Sequence, residues 1–278
     1  MERVVVTGAS GKAGRAVVRD LLEHGYDVLG VDVLPPREGA PACPFLRADL
    51  TNLGEASEAL SGADAVVHLA NIPAPGLYAP SRTLDENVRM NHNVFTAATS
   101  LESRRVVWAS SETTLGLPFD TPPRYAPVDE AHFPLPESAY ALSKVLAEEA
   151  AAHFARWSGI PFIGLRLSNI MEPHDYERFP GFQDDPHKRK WNLWGYVDAR
   201  DVALSCRLAL TADVQGSENV IITAADTVMN TPSRDLMAAV FPGVEVREPL
   251  GEFETLLSIR KARETIGYQP EHSWRQEV

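Results

Sequence analysis

A tyrosine and a lysine four residues apart are the residues in this sequence best suited to proton transfer. Tyr140 and Lys144 bound the stretch Tyr-Ala-Leu-Ser-Lys, and positions i and i+4 lie on one face of a helix. A free tyrosine has a pKa of about 10 and is a poor base at neutral pH. A neighbouring ammonium favours the phenolate, which would let the phenol take or give a proton. The spacing therefore predicts a general acid and base, although it also arises by chance in many helices.

Two serines at the end of an apolar run supply a hydroxyl for the same chemistry. Ser110 and Ser111 follow Val-Trp-Ala at 107–109, which we predict to be part of a strand in a parallel sheet. A hydroxyl at the carboxyl end of such a strand can hydrogen-bond the reacting oxygen of a substrate and hold it beside Tyr140. We therefore predict a catalytic site formed by a strand-end serine with Tyr140 and Lys144.

A glycine-rich turn near the start of the chain is typical of a dinucleotide-binding site. It follows a short β-branched run and opens a segment with helical spacing. The first glycine permits a tight turn, the second lets the backbone approach a pyrophosphate, and the third lets helix and strand pack closely. Amides at the helix N-terminus would bind the phosphates. The predicted cofactor-binding residues of this turn are Gly8, Ser10, Gly11, Lys12, Ala13 and Gly14.

An aspartate about 20 residues beyond the glycines indicates which dinucleotide is bound. Asp32 ends the second predicted strand, where a carboxylate accepts hydrogen bonds from the adenosine ribose and repels a 2′-phosphate. We therefore predict NAD rather than NADP, although Lys12 and Arg37 are close enough in sequence to weaken that preference. The oxidised nicotinamide would also favour the phenolate of Tyr140.

Further cofactor contacts are predicted where the third and fourth strands end. For the two aspartates, Asp32 and Asp49, capping a turn is the alternative role. His68 is more typical of a histidine packed in the sheet than of a catalyst. The predicted contacts are Asp49, Leu50, Leu69, Ala70 and Asn71.

The elements that must position these residues alternate between strand and helix. Apolar runs bounded by helices are typical of strands buried on both faces, so we predict an α/β fold with a doubly wound parallel sheet, the Rossmann fold. Strands are predicted over 3–7, 26–31, 45–48, 64–70, 105–109, 161–167 and 219–223. Helices are predicted over 14–24, 53–60, 84–101, 138–157, 198–210, 233–240 and 259–266.

Residues 169–194, which we call the substrate segment, break this alternation. The segment is rich in proline, aspartate, histidine, arginine and aromatic residues, and it is too long for a plain connector, so we predict that it covers the substrate. We therefore assign 1–168, completed by 193–224, to a dinucleotide-binding domain. Residues 169–192 and 225–278 are assigned to a small substrate-binding or capping region.

Basic residues in the substrate segment could anchor a carboxylate or a phosphate. A solvated surface is the alternative interpretation. Arg178 is the preferred anchor because aromatic residues and prolines surround it. We predict no metal, since the histidines and aspartates of this segment match no ligand spacing. The basic residues are Arg178, His187, Lys188, Arg189 and Lys190.

Composition restricts the partners. Lysine and arginine number 26 and aspartate and glutamate 38, so the net charge is −12 at pH 7. An acidic surface repels phosphate backbones and anionic lipids, so nucleic acid and membranes are poor partners. The start of the sequence has no signal-peptide pattern, and the two cysteines, Cys43 and Cys206, predict no disulfide framework. We expect a cytoplasmic protein that binds a small molecule.

Taken in their order along the chain, these motifs resemble the extended short-chain dehydrogenases/reductases, the NAD-dependent epimerase/dehydratase group. The resemblance covers nearly the whole sequence. The matching stretches are 7–14, 49–50, 68–70, 87–89, 107–111, 140–144, 166–169, 196–203, 258–263 and 266–270.

The resemblance implies a role for individual residues. Ser111 would orient the substrate, with Ser110 as the close competitor, and Tyr140 would be the general acid and base. Lys144 would bind the nicotinamide ribose and lower the pKa of Tyr140. The resemblance also implies that Asn87 belongs to the active site and that two long helices form a homodimer interface. Asn169 is a further candidate for contact with the substrate.

Departures from the group's pattern concern the substrate. Leu115-Gly116 and Asn-Ile-Met-Glu-Pro at 169–173 replace the Tyr-Gly and Asn-x-Tyr-Gly-Pro of nucleotide-sugar epimerases. The length of 278 residues leaves little room to grip a nucleotide diphosphate, and the stretch 172–176 is similar to uronate dehydrogenases. We therefore predict an NAD-dependent enzyme that oxidises a sugar or sugar-acid hydroxyl. The alternatives are a nucleotide-sugar 4-epimerase with tightly held NAD and, more remotely, a non-catalytic NAD-sensing regulator.

Overall fold

Seven parallel strands form the central sheet in the computed structural model, which describes residues 2–36, 42–132, 134–247 and 249–277. In chain order the strands are β1 (Arg3–Thr7), β2 (Asp27–Asp32), β3 (Phe45–Arg47), β4 (Ala65–His68), β5 (Arg105–Ser111), β6 (Tyr125–Ala126), β7 (Phe162–Leu167), β8 (Ile170–Met171), β9 (Val197–Asp198), β10 (Ser217–Ile222) and β11 (Glu245–Val246). The helices are α1 (Lys12–Glu23), α2 (Leu53–Leu60), α3 (Pro80–Ser100), α4 (Ala139–Ser158), α5 (Ala199–Thr211), α6 (Ser233–Val240) and α7 (Arg260–Ile266).

The sheet has the order β10-β7-β5-β4-β1-β2-β3. Val4 of β1 pairs with Val28 of β2 on one side and with Ala65 of β4 on the other. The chain runs outward from β1 through β2 and β3, then returns to start again at β4, so the strand order reverses between β1 and β4. Ligands of open α/β sheets bind beyond the carboxyl ends of the strands at such a reversal. The predicted doubly wound parallel sheet is confirmed.

Both faces of the sheet are covered by helices. Val4 and Val6 of β1 point to one face of the sheet and pack with α1, α5 and α7. Val5 points to the other face and packs with α2, α3 and α4. All three valines are fully buried, as expected for a strand between two helical layers. No helix in the described ranges is long and apolar enough to cross a bilayer.

Several boundaries differ from the sequence prediction, and two of these differences concern the site. Helix α3 begins at Pro80 rather than at residue 84, because a proline is well placed in the first turn of a helix, where its missing N–H is not needed. Strand β5 continues to Ser111, which pairs with Leu167. The strand-end serines therefore belong to the sheet itself.

The substrate segment is folded rather than an open loop. It contains two 3-10 helices, Pro173–Phe182 and Pro186–Asn192, each opened by a proline, and the short pairing of β8 with β9 frames them. Its aromatic residues pack with the C-terminal region in a third core that includes Phe179, Trp194, Tyr196, Leu257 and Trp274. This core fixes the segment above the carboxyl ends of the strands.

Candidate active site

The glycine-rich turn has the shape required for close contact with a phosphate. Gly8 has a φ of +70°, and a Cβ there would lie 2.7 Å from the backbone nitrogen of Ala70. At Gly14 a Cβ would lie 2.1 Å from the carbonyl oxygen of Gly8, so only glycine lets α1 pack against the turn. Gly11 is the N-cap of α1 and offers no side chain to its first amides. Those amides are therefore available to an anion.

Asp32 lies beside this turn and already binds two amides. One carboxylate oxygen accepts from the backbone N–H of Ser10 at 3.0 Å and the other from Leu34 at 3.1 Å. The capping role is thus present, and the carboxylate retains lone pairs for ribose hydroxyls. Lys12 forms an ion pair with Asp175, so its charge is already neutralised. Arg37, the other predicted modifier of cofactor preference, lies outside the described residues.

The other predicted cofactor residues line the ends of β3 and β4. The carboxylate of Asp49 accepts from the backbone N–H and hydroxyl of Thr51 at 2.9 and 2.8 Å, so the turn role is the one observed for this aspartate. Leu50 is buried. The amides of Leu69 and Ala70 bind the carbonyl and the hydroxyl of Thr7 at 3.1 and 3.2 Å, which brings the end of β4 against the glycine-rich turn.

The structure brings Ser111, Tyr140 and Lys144 together at the carboxyl end of β5. The hydroxyl of Ser111 lowers the pKa of the Tyr140 phenol, and it accepts from the amide and the hydroxyl of Thr113 at 3.2 and 3.0 Å. The ammonium nitrogen of Lys144 lies 5.6 Å from the centroid of the Tyr140 ring and donates to the carbonyl oxygen of Ala109 at 2.7 Å. Ser138 caps the start of α4 through a 3.0 Å bond from the amide of Ala141. That cap starts the helix at the point where its first turn presents Tyr140.

Burial is the largest influence on the pKa values of Tyr140 and Lys144. Burial raises the pKa of Tyr140 to about 12, the hydroxyl of Ser111 lowers it in part, and the charge of Glu112 raises it further. Burial also lowers the pKa of Lys144 to about 7, against the opposing charge of Glu148. Burial disfavours the charged form of both groups, and the prediction that Lys144 lowers the pKa of Tyr140 stays a prediction.

Ser110 faces the interior rather than the site. Its hydroxyl donates to Glu148 at 2.6 Å, and the same carboxylate accepts two bonds from Arg166 at 2.9 and 2.8 Å. Successive side chains of a strand point to opposite faces, which separates Ser110 from Ser111. Ser111 is thus the hydroxyl beside Tyr140, and the predicted substrate contact of Ser110 is replaced by a buried ion-pair network.

Asn87 links two segments that border the site. Its side-chain oxygen accepts from the amide of Ile72 at 2.8 Å, and its side-chain nitrogen donates to the hydroxyl of Ser143 at 3.3 Å. It therefore ties the connection after β4 to the catalytic helix α4. The neighbouring His68 is bonded to Thr7 at 2.7 Å and Asn91 at 3.1 Å, and burial lowers its pKa to about 3. His68 is neutral and packed, as the sequence indicated.

Asn91 joins this network to the end of β4. Its side-chain nitrogen donates to the side-chain oxygen of Asn71 at 3.4 Å. Asn71, one of the predicted cofactor contacts, is therefore held next to the His68 network.

The first half of the substrate segment rests on α1. Glu172 forms an ion pair with Arg15 at 2.8 Å, and Asp175 forms one with Lys12. We call residues 172–178, which these two ion pairs hold against α1, the strap. The side chain of Arg178 is 75% exposed and lies 3.7 Å from Asp175. The structure thus associates Arg178, the preferred anion anchor, with the surface of the strap and not with Ser111. Glu172, His174 and Asp175 lie within 4.8 Å of one another, but the two carboxylates already bind these cations.

The sequence did not indicate a buried cluster that joins the second half of the substrate segment to the end of β5. Arg189 is only 6% exposed, and its guanidinium donates to the side chain of Asn169 at 3.2 Å and the carbonyl of Gly195 at 2.9 Å, while Nε has no partner among the described residues. Glu112, next to Ser111, accepts from Ser168 at 2.5 Å and Asn192 at 3.2 Å. The position of Glu112 directly after the strand-end serines was the available sequence signal.

A phosphate-binding turn at the strand-order reversal and a Ser-Tyr-Lys trio at the same sheet edge define a dinucleotide-dependent enzyme. The chain belongs to the NAD dependent epimerase/dehydratase family, whose pattern matches residues 4–224. The resemblance stated from the motifs is therefore confirmed.

Similar proteins include both epimerases and dehydrogenases. UDP-glucose 4-epimerase of Corynebacterium glutamicum is 25% identical over 98% of this chain and 92% of its own. Uronate dehydrogenase of Pseudomonas putida is 28% identical over 62% of this chain and 63% of its own. A solved short-chain dehydrogenase/reductase superfamily protein of Agrobacterium tumefaciens with bound NAD superposes with a TM-score of 0.75 at 23% identity, covering 99% of this chain and 94% of that one.

Proposed function

We propose that this protein is an NAD-dependent oxidoreductase that removes hydride from a hydroxyl-bearing carbon of a sugar or sugar acid. The observation that carries the proposal is that Lys144 lies 5.6 Å from the Tyr140 ring and donates to the carbonyl of Ala109, two residues before Ser111, at the sheet edge that also holds the glycine-rich turn. The relatives whose names include dehydrogenase or epimerase support this class of chemistry.

The residues around the turn fit a dinucleotide. The uncapped first amides of α1 would hold the pyrophosphate, and the crowding at Gly8 and Gly14 is that of a turn built for close approach. The carboxylate of Asp32 would accept from the adenosine ribose and repel a 2′-phosphate. Because Lys12 is paired with Asp175, it offers less attraction to that phosphate than the sequence indicated. Both features support NAD over NADP.

In the reaction, bound NAD supplies the hydride acceptor, and the protein handles the substrate proton. Ser111 would hydrogen-bond the substrate hydroxyl and hold it beside Tyr140. Tyr140, as phenolate, would take the hydroxyl proton while hydride leaves the adjacent carbon, so a carbonyl forms. Lys144 would stabilise the phenolate when charged. The burial of both side chains excludes water from the proton transfer.

Arg189 replaces Arg178 as our candidate anchor for an acidic substrate. Its guanidinium is buried, flanked by the rings of Phe182 and Trp191 at 5.3 and 5.0 Å, and bound to Asn169, the predicted substrate contact. Arg189 has no ion-pair partner among the residues that the structure describes, and a buried cation of this kind favours a carboxylate or phosphate that takes over part of its hydrogen bonding. A sugar acid fits that requirement.

A nucleotide-sugar 4-epimerase is the second candidate, supported by the Corynebacterium relative that matches nearly the whole chain. In an epimerase the hydride returns to the opposite face of the sugar, and no NADH accumulates.

The two candidates are separated by screening free sugars, uronates and UDP-sugars for NADH formation. Net NADH supports the dehydrogenase, and interconversion of UDP-sugars without NADH supports the epimerase. We expect Tyr140→Phe to abolish turnover while NAD affinity, measured by calorimetry, changes little. Tyr26→Phe is the matched control, because Tyr26 precedes β2 at the opposite end of the sheet. Near-normal turnover in Tyr140→Phe would refute Tyr140 as the base, whereas NAD binding by the wild type without turnover of any of these sugars would support the sensor alternative.

A further inference from the structure

The hydroxyl oxygen of Ser111 is held by two donors of a single neighbouring residue. It accepts from the backbone N–H of Thr113 at 3.2 Å and from the hydroxyl of Thr113 at 3.0 Å. The first of these bonds makes Ser111 the N-cap of the 3-10 helix Glu112–Leu115, which begins directly after β5. A hydroxyl oxygen has two lone pairs, so both are occupied. Ser111 therefore has only its proton to offer a further partner.

The next threonine along the chain binds the same serine at a different atom. The hydroxyl of Thr114 donates to the backbone carbonyl oxygen of Ser111 at 2.9 Å. Thr114 is fully buried, whereas Thr113 is half-buried. The 3-10 helix thus fixes the backbone of Ser111 through one threonine and its side chain through the other.

We propose that Thr113 is a positioning residue that makes Ser111 a hydrogen-bond donor to the reacting oxygen of the substrate. In the proposed reaction this oxygen gives its proton to Tyr140 while hydride leaves the adjacent carbon for NAD, and the resulting carbonyl oxygen can only accept hydrogen bonds. A serine with a free lone pair would offer the substrate hydroxyl a second acceptor in place of Tyr140. Because Thr113 occupies both lone pairs of Ser111, the substrate proton is directed to Tyr140.

This inference rests on the proposed function in taking Ser111 as the residue that binds the substrate oxygen. Thr113→Val tests it, because valine keeps the shape of the side chain and the backbone amide but returns one lone pair to Ser111. We expect kcat to fall about tenfold, the effect of about one hydrogen bond, with KM changed by less than about twofold. Rates are measured with the free sugar, uronate or UDP-sugar that the screen shows to be turned over.

Two further variants separate positioning of the hydroxyl from support of the fold. Thr113→Ser keeps the donor and should retain kcat within about twofold of the wild type. Thr114→Val is the matched control, since it also removes a threonine hydroxyl bonded to Ser111, but one bonded to the carbonyl; its kcat should also stay within about twofold. Equal decreases of kcat in Thr113→Val and Thr114→Val would overturn the inference.

A double-mutant cycle shows whether Thr113 acts through Ser111. In a Ser111→Ala background, Thr113→Val should cause no further decrease of kcat, because the oxygen that Thr113 holds is absent. Additive decreases would contradict the role of Thr113 alone. Near-normal turnover in Ser111→Ala would instead contradict the proposed function, in which Ser111 binds the reacting oxygen.

A crystal structure of each NAD-loaded variant provides a measurement that needs no substrate. In the wild type and in Thr113→Ser we expect one rotamer of Ser111, with its Oγ about 3 Å from the side-chain oxygen of residue 113. In Thr113→Val we expect a second rotamer of Ser111, since one of the two bonds that fix the first is lost. A single, unchanged rotamer of Ser111 in Thr113→Val would overturn the inference whatever the screen of sugars shows.

Discussion

The buried ion pair behind the catalytic helix gives the prediction with the largest expected effect on stability. The side chains of Glu148 and Arg166 are 7% and 5% exposed, so water cannot replace a lost partner. The carboxylate accepts three charge-assisted bonds, two from Arg166 and one from Ser110. Nη1 of Arg166 already has no partner among the described residues. We predict that Glu148→Gln lowers the free energy of unfolding by about 3–5 kcal/mol, because it leaves a buried cation without its counter-charge.

Urea denaturation followed by tryptophan fluorescence measures this change, with the free energy extrapolated to water. Asp85→Asn is the matched control. Asp85 forms a helical ion pair with Arg89 at 3.0 Å, but the two side chains are 63% and 55% exposed, so the expected loss is less than about 1 kcal/mol. Glu148→Leu combined with Arg166→Met should recover most of the stability, because both charges are then absent. Equal losses in Glu148→Gln and Asp85→Asn would refute the reasoning.

The substitution Glu148→Gln should also change the pKa of Lys144, the lysine that we propose is catalytic. The charge of Glu148 raises the pKa of Lys144, which burial has lowered to about 7. Without Glu148 that pKa falls further, and the ammonium is lost at a lower pH. The decrease in kcat/KM should therefore be greater at pH 8 than at pH 6. An equal decrease at both pH values would indicate a structural effect without an electrostatic one.

Three further predictions concern the cofactor turn and the sheet. Asp32→Ala should relax the NAD preference, raising kcat/KM with NADP relative to NAD by about tenfold; an unchanged ratio would show that Asp32 does not read the ribose. Gly14→Ala should weaken NAD binding at least tenfold and destabilise the fold by more than about 2 kcal/mol, because its methyl group would lie 2.1 Å from the carbonyl oxygen of Gly8. The control Gly243→Ala should change neither NAD binding nor stability, because a methyl group there meets nothing within 4 Å. The pKa of His68 is lowered to about 3, so its ring signals in NMR spectra should not change from pH 5 to 8. Between about pH 3 and 6.5 the unfolded state binds a proton at His68 that the folded state does not, so the contribution of His68 to stability rises with pH in that range.

The sheet and the trio could be predicted because local patterns define them. Short apolar runs separated by helical spacing specify buried parallel strands, and the serine, tyrosine and lysine each lie at a fixed position on such an element. The glycines were predictable for the same reason, since the turn that needs them lies between β1 and α1. The packing of His68 in the sheet could be predicted from its place at the end of a strand.

The features that the sequence did not predict depend on contacts between residues that are distant in sequence. Arg178 and Arg189 look alike in sequence, and only the packing of Phe179 and Trp194 into the third core makes one exposed and the other buried. Adjacent serines could not be separated until the register of β5 was known. The pKa of Tyr140 depends on how deeply α4 is buried, and no spacing of residues contains that information.

The strap has a consequence for how the protein would recognise phosphate. Both cations in the first turn of α1 are occupied: Lys12 by Asp175, and Arg15 by Glu172 and the carbonyl of Ser10. The turn therefore meets an anion with backbone dipoles, not with mobile positive side chains. Dipoles at short range are little affected by dissolved ions, so NAD affinity should stay nearly constant as salt is added. Recognition of this kind depends on the shape of the turn and little on the acidic net charge of the molecule.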